Sequence, residues 1–198
     1  MNKKNVKFLR QATSKVFNNP LHYCMVFDHN GQSWIAASNG YKLHMVPNDD
    51  GLAEGPWQIF SDGDALPPTE SHLQPPALLP TVKWASSHCT KEVIDESPLV
   101  GRENETRLTF ADSNYVDVIT SDLAVICKQG KNFVMRGNNA SRPLSITHYD
   151  AKGKEVCFGL LSPLNPRRLN EQPKQAKARK PTRKPKGNAD FEKRHPNL

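Results

Sequence analysis

The chain has 198 residues with 27 Lys and Arg against 20 Asp and Glu, and the positive charge is concentrated at one end. Residues 166–198 carry eleven of the basic residues and three of the acids, a net charge of +8, which leaves residues 1–165 at −1. No apolar run approaches the ~20 residues of a membrane-spanning helix, and the N-terminus lacks the pattern of a secretory signal. We therefore expect a cytoplasmic globular domain over 1–165, followed by a disordered basic tail over 166–198.

The first half of the domain predicts a helix followed by a three-stranded meander. Over residues 5–17, Leu9, Ala12 and Val16 recur at helical spacing, and the helix is expected to end near Pro20. Strands are predicted over 21–28, 33–38 and 41–46. They are separated by two Asn-Gly pairs, which accept the positive φ angles of tight hairpins.

The second half repeats this plan after an irregular middle. Residues 61–105 are predicted to be a Pro-rich connector (61–82) and a polar insertion (83–105) whose role the sequence does not indicate. A strand over 106–111 and a helix over 115–127 follow, although the β-branched residues of 115–127 also permit a strand. Further strands are predicted over 132–136, 143–149 and 155–161. The order therefore predicts two halves of one architecture, with no obvious shared sequence.

The cysteines and the motif search favour no chemistry. Cys24, Cys89, Cys127 and Cys157 are far apart in sequence, so we expect four reduced thiols, no metal and no cofactor. The chain lacks the phosphate-binding loop, the zinc-protease motif and the serine-hydrolase motif. We expect a protein that is not an enzyme.

Several segments resemble a known family. Residues 34–43 (WIAASNGYKL) resemble the glycine-containing turn of bacterial and phage DNA sliding clamps, the β subunit of the replicative polymerase. Leu78-Leu79-Pro80 resembles the end of the interdomain connector in that family. Residues 114–116 with the helix after them, 142–146 and 156–164 resemble the last helix and hairpin of a clamp, and all these segments occur in the family's order.

The resemblance implies a single clamp-type domain of the α+β class, with two halves that each hold a helix and an antiparallel meander. It further implies a DNA-associated processivity or accessory factor in replication, which binds DNA without sequence specificity, at the nucleoid or, if phage-encoded, in the host cytoplasm. Clamps of this family have three domains per chain and six around the hole. A homo-oligomer is therefore expected, in which six one-domain copies would close a ring.

The sequence leaves two alternatives open. One is an interaction module that mimics a clamp domain and binds replication proteins, such as the polymerase, or the clamp itself. The other is a basic-tailed nucleic-acid-binding protein with an unrelated α+β body. The sequence fixes neither the oligomeric state nor whether the body, the tail or both contact DNA.

Candidate site residues fall into two sets. Basic side chains expected to meet DNA phosphates are Lys4, Lys7, Arg10, Lys15, Lys128 and Lys131 in the body and Lys174, Lys177, Arg179, Lys180, Arg183, Lys184 and Lys186 in the tail. By resemblance to the family, a pocket for a partner peptide is expected at Ser38, Gly40, Tyr41, Lys42, Leu43, Pro80, Leu160 and Ser162.

Overall fold

The computed structural model describes residues 1–16, 19–68 and 77–164. These residues form three α-helices and an antiparallel sheet of eleven strands. In chain order the elements are α1 (Lys3–Arg10), β1 (Cys24–His29), β2 (Gln32–Ser38), β3 (Lys42–Pro47), β4 (Gly55–Ile59), β5 (Ala65–Leu66), α2 (Leu78–His88), β6 (Lys91–Pro98), β7 (Glu105–Phe110), β8 (Tyr115–Ile119), α3 (Thr120–Cys127), β9 (Phe133–Gly137), β10 (Leu144–Tyr149) and β11 (Glu155–Leu161).

The centre of the sheet has the two-fold plan that the sequence predicts. The strand order is β5-β4-β1-β2-β3-β11-β10-β9-β6-β7-β8, so two meanders meet back to back where β3 pairs with β11. We call this junction the seam; it aligns His44 with Gly159 and Leu43 with Leu160. Helix α1 precedes the first meander and α3 precedes the second. The prediction of an α+β fold with two helix-plus-meander halves is confirmed.

The flanks of the two halves differ. Beside the first meander lies β4, which follows that meander in the chain and pairs with β1. Beside the second lies β6, which precedes α3 and pairs with β9. The two halves of the fold therefore correspond only in one helix and the three strands of the meander that follows it.

The two faces of the sheet carry different layers. Helices α1 and α3 cover one face, here called the helix face, through a core that includes Leu9, Ile35, Ile126 and Cys157. Helix α2 covers the opposite face, called the α2 face, through Val82 and Ala85 against Trp34, Met45 and Phe158. Alternate residues of the central strands supply the two cores, as the two-residue period of a strand requires.

The first helix is shorter than predicted, because it ends at Arg10 instead of near residue 18. Residues 11–16 turn away: the Thr13 hydroxyl donates to the Arg10 carbonyl oxygen, and Ser14 Oγ accepts from the Val16 amide. Such local bonds compete with helix continuation. Val16, assigned to the apolar helix face, is 63% exposed, and Lys15 lies in a loop.

The helix predicted over 115–127 is correct only from Thr120. Residues 115–119 form β8, the alternative that their β-branched residues allowed, and pair with β7 from Glu105 to Thr109. Asp117, assigned to the helix, lies on this strand with its side chain 2% exposed, and Arg107 of β7 donates to both of its oxygens at 2.8 and 2.9 Å. Pairing in the sheet thus overrides a helical spacing of apolar residues.

The interpretation of 61–105 as connector and insertion missed β5, α2 and β6. The prediction of an extended chain was based partly on Pro80. Pro80 lies in the first turn of α2, where the backbone N–H that proline lacks would have no partner within the helix. Leu78, Val82, Ala85 and Cys89 recur at helical spacing and are buried, so a signal for α2 was present. Strand β6 gave no such signal, because none of its residues is buried.

Gly159 permits the close approach of α3 to the seam. A Cβ at this position would lie 2.7 Å from Ile126 Cδ1 and 2.8 Å from Ile126 Cγ2. We expect Gly159→Ala to lower the free energy of unfolding by ~1–3 kcal/mol, the usual effect of overpacking a core. Urea unfolding followed by circular dichroism measures this. The double change Gly159→Ala/Ile126→Val should recover part of the loss, and an unchanged midpoint in the single variant would contradict this packing.

Candidate nucleic-acid interface

Helix α1 presents its charged side chains away from the core. Val6, Phe8 and Leu9 are buried, whereas Lys3, Lys4, Lys7 and Arg10 are exposed. Residues 1–16 contain no Asp or Glu. The alternation of apolar and basic residues in one short amphipathic helix therefore fixes a purely cationic outer surface.

Helices α1 and α3 lie side by side and run in opposite directions. Lys4 Nζ, in the first turn of α1, donates to the carbonyl oxygen of Gln129, just past the end of α3. Arg10, at the other end of α1, lines a cleft together with Ser121 in the first turn of α3. The two helices thus flank the seam as a pair, which places their exposed sides on one surface.

The acids of this region do not cancel its charge. Asp122 of α3 is paired with Lys42 of β3, whose Nζ lies 2.7 Å from Asp122 Oδ1. Asp117 is buried on β8 against Arg107, so it is absent from the helix surface. Both acids fall in the helix predicted over 115–127, but Asp117 lies on β8 and only Asp122 lies on α3, where Lys42 neutralises it.

The predicted DNA contacts of the body fall on the helix face in two groups. Lys4 lies near the segment after α3 that carries Lys128 and Lys131, which are both exposed. Arg10 and Lys15 line the cleft at the opposite end of α1. Lys3 and Lys7 are exposed on α1, and Lys3 was missed by the sequence analysis. The seven predicted contacts in the tail lie outside the described residues, as does the predicted tail itself.

Seven of the eight residues of the predicted partner-peptide pocket line a second cleft of about 250 Å³, here called the turn cleft. Its lining includes Ser38, Gly40, Tyr41, Lys42, Leu43, Leu160 and Ser162. Gly40 has φ +88, which favours glycine in this turn, and Ser38 Oγ accepts from the Gly40 amide at 3.2 Å. Tyr41 is 77% exposed at the rim.

One wall of the turn cleft consists of residues that the sequence analysis did not assign to the pocket. Ala77, Leu78 and Thr81 of the α2 segment line it, together with Leu21 and Pro143. Pro80 is exposed and is not part of the lining, so the predicted contribution of this segment belongs to its neighbours. Lys42 lines both clefts, because its strand runs along the seam between them.

The cysteines do not form a reactive or metal-binding group in the described residues. All four cysteines are free, and burial raises the pKa of Cys24 and of Cys157 to about 12, so both stay protonated. Among the described residues, no group of three or more His, Cys, Asp and Glu side chains is placed to hold a metal ion. Within the same ranges, no helix is long and apolar enough to cross a membrane.

No protein-family model matches the sequence, and no curated protein matches it. Solved structures do match, among them β subunits of bacterial DNA polymerase III, the sliding clamps. The chain is similar to the β subunit of Thermotoga maritima, with 13% identity, TM-score 0.45, and coverage of 82% of this chain and 63% of that one. For Caulobacter crescentus the identity is 12%, the TM-score 0.49 and the coverage 82% and 63%. For Streptococcus pneumoniae the identity is 12%, the TM-score 0.47, and the coverage 82% of this chain and 62% of that one.

The chain spans less than two thirds of the length of these clamp structures. The matched proteins are of the class that the sequence motifs resemble. At such low identity the likeness concerns the course of the backbone alone.

Proposed function

We propose that this chain is a clamp-like, DNA-associated protein that serves as a processivity or accessory factor in replication. The observation that carries the proposal is the antiparallel pair α1 and α3, which exposes Lys3, Lys7 and Arg10, with Lys128 directly after α3. Asp122 is the one Asp or Glu within these two helices, and it is paired with Lys42. Cations on exposed helices attract phosphates at any base sequence and release counterions, so binding is sequence-blind and salt-dependent. The basic tail adds to the same attraction.

The proposal predicts which lysines set the salt dependence. Exchange of Lys3, Lys7 and Lys128 for Gln should lower the slope of log affinity against log salt by ~2–3, close to 0.9 per lost phosphate contact. Fluorescence anisotropy with a duplex of random sequence, measured with the full chain, tests this. The control exchanges Lys83, Lys152 and Lys154, which are exposed on α2 and on the β10–β11 turn. Equal slopes for the two triple variants would contradict a role of the helix face.

We propose further that copies of the chain associate head to tail, since a ring requires several domains. Both ends of the sheet carry net negative charge: residues 48–66 hold five acids and no Lys or Arg, and residues 91–119 hold seven acids and three bases. Like charges repel over a Debye length, ~30 Å at 0.01 M salt and ~8 Å at 0.15 M. The mass from light scattering should therefore rise with salt while DNA affinity falls. A strict monomer at every salt concentration would exclude a ring.

A second candidate function is a module that mimics a clamp domain and binds replication proteins or the clamp. The turn cleft favours it, because α2 of the same chain supplies the wall formed by Ala77, Leu78 and Thr81. An apolar cleft complete in one chain can hold an apolar peptide without a second domain. Recovery of polymerase or clamp-loader subunits by the full chain, reduced by Tyr41→Ser but not by Val100→Ser, would support this function; Val100 is an exposed apolar residue outside the cleft.

A further inference from the structure

The cleft between the end of α1 and the start of α3 has a volume of about 530 Å³, and we call it the helix cleft. Arg10, Lys15 and Lys42 contribute cations to its lining, and Asp122 contributes the one carboxylate. Because Asp122 is paired with Lys42 at 2.7 Å, Arg10 and Lys15 determine the charge that a ligand meets. The helix cleft is therefore cationic despite its acid.

The neutral side chains of the helix cleft have hydrogen-bond donors to spare. Asn39 Oδ1 accepts from the amides of Tyr41 and Lys42 at 3.0 Å each, which leaves the Asn39 NH₂ group free to donate. Ser14 Oγ accepts from the Val16 amide and keeps its own proton. Ser121, which also carries a hydroxyl donor, lines the same cleft. The side-chain oxygens of Ser14 and Asn39 already accept bonds from backbone amides, whereas their donor groups make no such bond. Side chains that offer donors favour an anionic ligand.

We propose that the helix cleft is a discrete binding site for a phosphate group of the nucleic-acid backbone, a use that rests on the proposed function. Arg10 and Lys15 bind the phosphate oxygens, and Ser14, Asn39 and Ser121 donate to them. The Lys42–Asp122 pair keeps the carboxylate from repelling the ligand. The rest of the helix face then attracts DNA diffusely, whereas this cleft fixes one phosphate in place.

The direct test uses inorganic phosphate and the full chain, followed by amide resonances in two-dimensional NMR. Phosphate should produce saturable shifts at Thr13, Ser14 and Ser121, and sodium chloride at equal ionic strength should not. Shifts that rise without saturation and equally near Lys3 and Lys83 would mean only diffuse attraction, and would overturn the site.

The ion pair gives a test with effects of opposite sign. Asp122→Asn removes the carboxylate and frees Lys42, so we expect phosphate to bind about tenfold more tightly, as ~1.4 kcal/mol of added attraction implies. Lys42→Met leaves Asp122 unpaired in the cleft, so binding should weaken about as much, and Lys42→Met/Asp122→Asn should restore it. Thermal melts check that each variant is folded. Unchanged or weaker binding in Asp122→Asn would overturn the assignment.

Duplex DNA without terminal phosphates separates this inference from the function on which it rests. Arg10→Gln/Lys15→Gln should weaken DNA binding more than Lys7→Gln/Lys128→Gln, although each pair removes two cations from the helix face. A duplex with 5′-phosphates that alone binds would assign the cleft to chain ends and overturn the backbone assignment. Equal losses in the two double variants would overturn the discrete site and leave the proposed function intact. Saturable phosphate binding without any DNA binding would contradict the proposed function, and the nucleic-acid assignment with it.

Discussion

Arg107→Met should lower the free energy of unfolding by ~3 kcal/mol, near the lower end of the range for a broken buried ion pair. Arg107 donates from Nε and Nη2 to the two oxygens of Asp117, at 2.8 and 2.9 Å. The Asp117 side chain is 2% exposed and that of Arg107 is 33% exposed. The change therefore leaves the Asp117 carboxylate buried without a charged partner and without access to water. Arg107 also stacks 3.8 Å above the Tyr115 ring, a contact that Met keeps only in part.

Urea unfolding of Arg107→Met and of Arg107→Met/Asp117→Asn measures this effect. The double variant should recover more than half of the loss, because no charge then remains buried. Arg102→Met, which removes a more exposed pair with Glu105 in the same hairpin, is the control and should cost under ~1 kcal/mol. Similar losses for the two arginines would contradict the importance of burial at Asp117.

Acidification from pH 6.5 to pH 4 should destabilise the fold by an amount on the order of 3 kcal/mol through His44 alone. His44 is fully buried on β3, its ring stacks 4.0 Å from that of Phe8, and Nδ1 lies 2.6 Å from the Phe8 carbonyl oxygen. Burial lowers the pKa of His44 to about 4, because a charged ring would lack water, and Nε2 has no hydrogen-bond partner in the described residues. His44 is therefore protonated below about pH 6.5 in the unfolded chain but only below about pH 4 in the folded chain.

His29 and His148 also make the fold less stable as the pH falls, since burial lowers the pKa of each. Stability is therefore complete above pH 6.5 and falls as the pH decreases toward 4. His44→Asn keeps a donor for the Phe8 carbonyl and removes the titrating ring, so its stability should depend less on pH by about 1.4 kcal/mol per pH unit. Urea midpoints at several pH values measure the difference. The same pH profile in the variant and the natural chain would contradict the low pKa of His44.

The sequence predicted the centre of the fold better than its flanks. The Asn-Gly turns before β2 and β3 and the apolar strands around them are local signals, and both meanders were found from such signals. Strand β8 shows why the rest was missed: Val116 and Ile119 have helical spacing to Leu123 and Ile126, and only pairing with β7 decides for a strand. Helix α2 was hidden by Pro80, although its buried residues had helical spacing.

The sites show the same limit. The lysines of α1 follow from one amphipathic helix, and the turn residues from Ser38 to Leu43 follow from one hairpin. The pairing of Lys42 with Asp122 joins residues 80 positions apart, across the seam, and no local pattern predicts it. The wall of the turn cleft formed by Leu78 and Thr81 likewise depends on α2, which packs on that side of the sheet only in the folded chain.

Photo-crosslinking to duplex DNA tests the central claim most directly, because it identifies the face that meets the phosphates. A photoreactive side chain would replace Lys7 on α1 or Lys83 on α2, two exposed lysines on opposite faces of one sheet. With the full chain, we predict crosslinks from position 7 that high salt abolishes, and few or none from position 83. Crosslinks from position 83 that equal or exceed those from position 7 would contradict the account.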